Sequence, residues 1–171
     1  MNWIKLAGHI LILLAGGGFG IYFKSRLLNR RRILTAMMLA AGEASAYIGY
    51  TGADVKSLIA ELDRRPGLEP LEFLGGMRER LIGGMPPYEA AREAAGSWQR
   101  GVLTDADREL IVSFLGGLGQ SDRSGQLAHC ALYQERLRVA AAEAAEAQRQ
   151  RGKMTLSLSL LGALALVIVT I

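Results

Sequence analysis

The sequence holds one cysteine, Cys130, and two histidines, His9 and His129. A single thiol excludes an intramolecular disulfide framework and suits a reducing compartment. With two isolated histidines it does not make a four-ligand zinc centre by local spacing. Catalytic signatures are missing too: there is no Gly-x-x-x-x-Gly-Lys-Ser/Thr phosphate cradle, no Gly-x-Ser-x-Gly elbow and no His-Glu-x-x-His. His129 and Cys130 are neighbours, and neighbouring side chains on a helix point about 100° apart, which rules out an ordinary dyad. Cys130 is expected as a small core residue. The sequence therefore offers no catalytic residue, no metal site and no cofactor site, and an enzyme is not expected.

What is present is apolar. Half of the 171 residues are hydrophobic and mean hydropathy is positive, a balance natural for a chain with a substantial share in lipid. The length leaves room for one ordinary domain. Glycine is abundant at 21, but it comes as punctuation (Gly16 to Gly18, Gly75 and Gly76, Gly83 and Gly84, Gly116 and Gly117) rather than as a low-complexity tract.

The net charge of +4 conceals a segregation. Lys24, Arg26, Arg30, Arg31 and Arg32 crowd residues 24 to 32, and Arg149, Arg151 and Lys153 crowd the other side. Between residues 33 and 148, eleven basic groups face all sixteen acidic ones, a balance of −5. Basic groups beside apolar runs fit anionic lipid headgroups, whereas a nucleic-acid surface needs its basic excess on the folded domain. Nucleic-acid binding is excluded on that ground.

The run from Leu6 to Phe23 holds 18 residues without a fixed charge, and so does the run from Met154 to Ile171. Each rises roughly 27 Å as a helix, against a hydrocarbon core of about 30 Å. Transmembrane helices are expected over 3–23 and 154–171. A cleaved signal peptide carries its positive charge before the apolar stretch. Here one lysine precedes and five basic groups follow, which by the positive-inside rule keeps residues 24–153 in the cytoplasm. His9 lies near the outer interface without an acidic partner in either run. Gly16 and Gly20 have the small-x-x-x-small spacing that lets membrane helices approach, and they are a candidate helix–helix contact.

The middle of the chain shows helical periods and hardly any strand alternation, so an all-α domain is expected: an antiparallel bundle of about six helices between the two terminal spans. The first helix runs from about Arg26 through Tyr47, broken by Gly49 to Gly52. A short helix over Ala53 to Leu62 stops at Arg65-Pro66-Gly67, and Glu69 to Ile82 ends at Gly83-Gly84. Pro86-Pro87 opens Tyr88 to Trp98. Thr104 caps a fifth helix that stops near Gly116 to Gly119. Ser121 caps a last helix of about 50 residues that continues into the second span. Leu127, Cys130, Gln134, Leu137, Ala141, Ala144 and Gln148 form a seam for close antiparallel contact with the first helix. The carboxylates and arginines around Glu69, Glu72, Arg78, Glu79 and Arg80 suit solvated faces with i,i+4 pairs.

Phe114-x-x-x-Leu118-Gly119-x-x-Asp122-x-x-x-Gln126, leading into a long Arg/Glu/Ala helix, resembles the stage III sporulation protein AB family. Upstream, Phe73, Leu81, Gly84, Glu89 and Ala90, and earlier Glu43, Gly49 and Thr51, are similar to that family's pattern. Gly52-Ala53 and Ala91 depart from its Pro-Leu and Trp. The resemblance covers nearly the whole chain. It implies a fold similar to the F domain of type II secretion and type IV pilus platform proteins, and a non-enzymatic membrane component between mother cell and forespore. The partners it implies are other sporulation-complex membrane proteins, membrane lipids, further copies of the chain and a cytoplasmic secretion-type ATPase. Leu118, Gly119, Asp122 and Gln126 are the candidate interaction or structural corner, with Asp122 favouring the helix dipole and Gln126 bonding within the corner. The alternatives are a platform-like subunit of a type II secretion or type IV pilus system, and a transporter accessory subunit using His9, Gly16 and Gly20.

Overall fold

A computed structural model describes the backbone of residues 3–170 except 53, 97 and 100, and the side chains over residues 21–150 with the same exceptions. Its regular elements are six helices: α1 (Trp3–Thr51), α2 (Val55–Leu62), α3 (Phe73–Ile82), α4 (Pro87–Gly96), α5 (Asp105–Gly116) and α6 (Arg123–Thr170). Among the described residues there is no strand, and no helix is long and apolar enough to cross a membrane. Over the spans expected at 3–23 and 154–171 the backbone belongs to α1 and, up to Thr170, to α6, while the side-chain surroundings, those of Gly16 and Gly20 included, lie outside what is described apart from Gly18 and Ile21 to Phe23. The chain divides into two compact units, residues 30–143 and the two terminal stretches 1–29 and 144–171.

In the unit over residues 30–143, α1 buries Ile33, Leu34, Met37, Ala40, Ala41, Ala44 and Ile48, an apolar stripe with steps of three and four. α6 buries Cys130 and Leu137 of the expected seam, whereas Gln134 is exposed. Gly42 explains its place: a Cβ there would lie 3.0 Å from Gln134 Nε2, so the missing side chain admits the amide where α1 and α6 meet. Leu58, Ile59, Leu62, Leu74, Met77, Leu81, Ile111, Phe114 and Leu115 complete the core.

Boundaries differ from expectation where a local signal meets a stronger neighbour. Gly49 does not break α1, which continues to Thr51; the break is Gly52, whose φ of +58° is the left-handed conformation that glycine takes at little cost. α2 begins after Asp54, whose carboxylate accepts the Ser57 N–H at 2.8 Å. Glu69 to Glu72 are turns rather than helix, because Leu68, Leu71 and Leu74 each donate to the carbonyl three residues back and the helical ladder starts only at Phe73. Pro87 occupies the first position of α4, where its missing N–H costs nothing, and Trp98 lies past the end of that helix in a turn against Phe73, ring centroids 4.7 Å apart. The arginines of α3 do not pair along their own helix. Arg78 reaches Asp63 at 2.6 Å and Arg80 reaches Glu93 at 3.2 Å, tying α3 to the end of α2 and to α4.

Candidate interaction site at the α5–α6 corner

The corner is built by glycines that remove side chains and by two polar residues that bind backbone. α5 ends at Gly116, where a Cβ would stand 2.9 Å from the Cα of Tyr88, so α4 crosses at backbone range. One residue on, a Cβ at Gly117 would lie 2.3 Å from the His129 ring. That ring meets the Phe114 carbonyl through Nε2 at 2.9 Å, stacks on the Phe114 ring and lies tilted against Tyr133, tying the last turn of α5 to α6. Leu118 is fully buried beneath the corner. Gly119 turns the chain with φ +79°, and a Cβ there would lie 2.4 Å from Val55 Cγ2 at the start of α2.

Asp122, rather than Ser121, caps α6. Its Oδ1 accepts the Gly125 N–H at 2.9 Å and its Oδ2 accepts the Ser124 hydroxyl at 2.8 Å. The Gly125 N–H, then the Ser124 hydroxyl, hold this carboxyl below the ordinary carboxylate range. Ser121 does something else: its Oγ and Asp122 Oδ1 occupy the space that a Cβ at position 125 would need, 2.7 and 2.9 Å away. Gln126 spans the turn with both ends of its amide. The Gly119 N–H donates to Oε1 at 3.3 Å, and Nε2 donates to the Ser121 carbonyl at 3.0 Å. The four residues singled out in the sequence are thus brought together, with Leu118 as anchor, Gly119 as pivot, Asp122 as cap and Gln126 as brace. Ser124, Gly125, Gly117 and His129 belong to the same construction; the Asp-x-x-Gly spacing of a capped first turn was the available signal for Gly125. Gln120, Ser121, Arg123 and Ser124 face solvent across the rigid turn, and Tyr50 near the end of α1 is 92% exposed.

A second polar construction adds to the expected Thr104 cap a distant ion pair that the sequence does not show. Arg30, expected with the basic groups at lipid headgroups, instead clamps Asp107 on α5 with Nε at 2.7 Å and Nη2 at 3.0 Å. Asp107 and Thr104 also form a reciprocal capping box at the start of α5. Burial opposes charge on Asp107, but the Arg30 fork and the Thr104 bonds outweigh it and hold the carboxyl below its ordinary range. At Cys130, burial pushes the thiol up to about 11, which suits a core residue and not a nucleophile. Among the described residues no group of His, Cys, Asp and Glu could hold a metal ion.

The family model for stage III sporulation protein AB matches residues 5–171, nearly the whole chain. The chain belongs to that family. It is a stage III sporulation protein, of a family of sporulation-complex components rather than a known enzyme family. The Phe114 to Gln126 segment that carried the resemblance is, in this family member, the segment that makes the corner. Comparison with curated proteins found no match, and comparison with solved structures found none.

Proposed function

We propose that this chain is a non-enzymatic platform component of the membrane complex of stage III sporulation. Helices over 3–23 and 154–171 cross the mother-cell membrane around the forespore and hold residues 24–153 in the cytoplasm. There the exposed outer surface of the α5–α6 corner docks a secretion-type ATPase or another member of the complex. Lipid headgroups meet the basic groups beside the two spans, and further copies of the chain associate with it.

The observation that carries this reading is a corner rigid in its backbone and open in its surface. Asp122 and Gln126 spend their polar atoms on the chain itself, while the exposed Arg123 side chain between them makes no hydrogen bond or ion pair among the described residues. Rigid turns that present free polar groups are the usual carriers of recognition, and charges at such a rim steer association. Docking is therefore assigned to the neighbours of Asp122 and Gln126, with those two as support.

The test is recovery of partners from sporulating cells with tagged full-length protein, wild type against Arg123→Glu, folding being checked by circular dichroism. Recovery of a cytoplasmic ATPase with the wild type and its loss with the folded variant supports docking at the corner. Recovery of membrane partners alone removes the ATPase from the account.

A further inference from the structure

Arg30 is the first residue on α1 of the unit over 30–143, and it binds a residue 77 positions away. Its partner has two tasks. Asp107 Oδ2 accepts Arg30 Nε at 2.7 Å and also accepts the Thr104 N–H at 2.9 Å, while the Asp107 N–H donates to Thr104 Oγ1 at 3.1 Å. The Asp107 side chain is only 4% exposed, so water is poorly placed to replace either donor. The first turn of α5 held by this box supplies Thr104, Asp105 and Arg108 to the wall of an open cleft of about 640 Å³, completed by Gly96, Gly101 and Leu103.

The ion pair and the helix cap therefore share one oxygen. A bidentate fork tolerates little misalignment, and a slip of α1 by one residue, a rise of about 1.5 Å, takes both nitrogens out of register. Asp107 then has a buried charge with the Thr104 bonds as its remaining support, and reorienting that charge toward water undoes the cap.

We propose that Arg30 is a latch: displacement of α1 at this residue releases Asp107, uncaps α5 and loosens the cleft wall formed by Thr104, Asp105 and Arg108. Arg30 is a positioning residue in this device, coupling the point where α1 enters the folded unit to a surface cleft beside α5.

Hydrogen–deuterium exchange of the full-length protein in lipid nanodiscs tests it. Arg30→Gln keeps a polar side chain but removes the charge and the guanidinium fork that reaches Asp107. It is expected to raise the exchange rate of a peptide over residues 103–112 about tenfold, the scale of a lost cap, and to leave peptides from α2 and α3 unchanged. Thr104→Ala, which removes the cap directly, should raise exchange in the same peptide. The double variant Arg30→Asp, Asp107→Arg restores opposite charges but cannot accept the Thr104 N–H, so its thermal midpoint should recover while exchange over 103–112 stays high. Unchanged exchange in Arg30→Gln, or full protection in the charge-swapped protein, overturns the latch. If Arg30→Gln unfolds the whole chain, Arg30→Lys decides: a rise confined to 103–112 supports the latch, and a uniform rise or none overturns it.

Discussion

Gly119 and Gln126 close the α5–α6 corner on each other: the backbone N–H of one donates to the side-chain oxygen of the other at 3.3 Å, across a turn that only a residue at ease with φ +79° takes without strain. Gly119→Ala is expected to cost about 2–3 kcal/mol, combining a left-handed backbone with a methyl group driven into Val55. Thermal unfolding of the full-length protein in detergent checks this. The Gly119→Ala, Val55→Ala pair should be less damaged than the sum of the two single changes, since one part of the cost is a clash between them.

Asp122 acts through its acceptor oxygens, so Asp122→Asn should keep most of the wild-type thermal midpoint and Asp122→Ala should lower it. Equal losses in the two variants, read by circular dichroism, would mean that charge against the helix dipole matters more than the capping bond.

The Arg30–Asp107 pair sets a pH dependence. The folded-state pKa of Asp107 lies below its unfolded value, so its contribution is present above the unfolded value, about 3.9, and is lost as pH falls through the folded one. Stability measured from pH 6 downward should fall less steeply in Asp107→Asn than in wild type over the acid range. Arg30→Ala, which leaves Asp107 buried without the two donors of the fork, is expected to cost about 3 kcal/mol at neutral pH.

Gly49 is helical, with nothing within 4 Å of where its Cβ would stand. Gly49→Ala should stabilise the protein by about 0.5–1 kcal/mol through helix propensity and a less free unfolded chain. Gly117→Ala should do the opposite, costing about 2 kcal/mol because the His129 ring occupies that space, and His129→Ala should relieve part of the loss. Denaturant titration of the three variants separates the two kinds of glycine.

Local signals were legible in the sequence and distant partnerships were not. Thr104 was readable as a cap because its partner, Asp107, lies three residues away; that the same carboxylate binds Arg30 depends on how α1 crosses α5, which no spacing encodes. Gly49 and Gly52 look alike as letters, and only the backbone shows that one continues α1 and the other stops it. At the corner, Leu118, Gly119, Asp122 and Gln126 were singled out by the family resemblance, and the structure places all four at one turn. The cap was displaced by one residue, because Ser121 and Asp122 are both good capping residues and the choice between them follows from the turn at Gly119. The α3 arginines illustrate the converse error, since i,i+4 spacing suggested pairs along the helix while Asp63 and Glu93 lay closer in the fold.

The outer surface of the α5–α6 corner is proposed to meet a partner in sporulating cells. The most direct measurement places a photo-crosslinking amino acid at position 123 of the full-length protein and, as a control, at exposed position 64, then identifies the adducts formed during sporulation. Docking at the corner predicts a protein adduct at 123 that is a cytoplasmic ATPase or another component of the complex, and none of it at 64. Equal adducts at both positions, or none at 123 in cells that form spores normally, would contradict it.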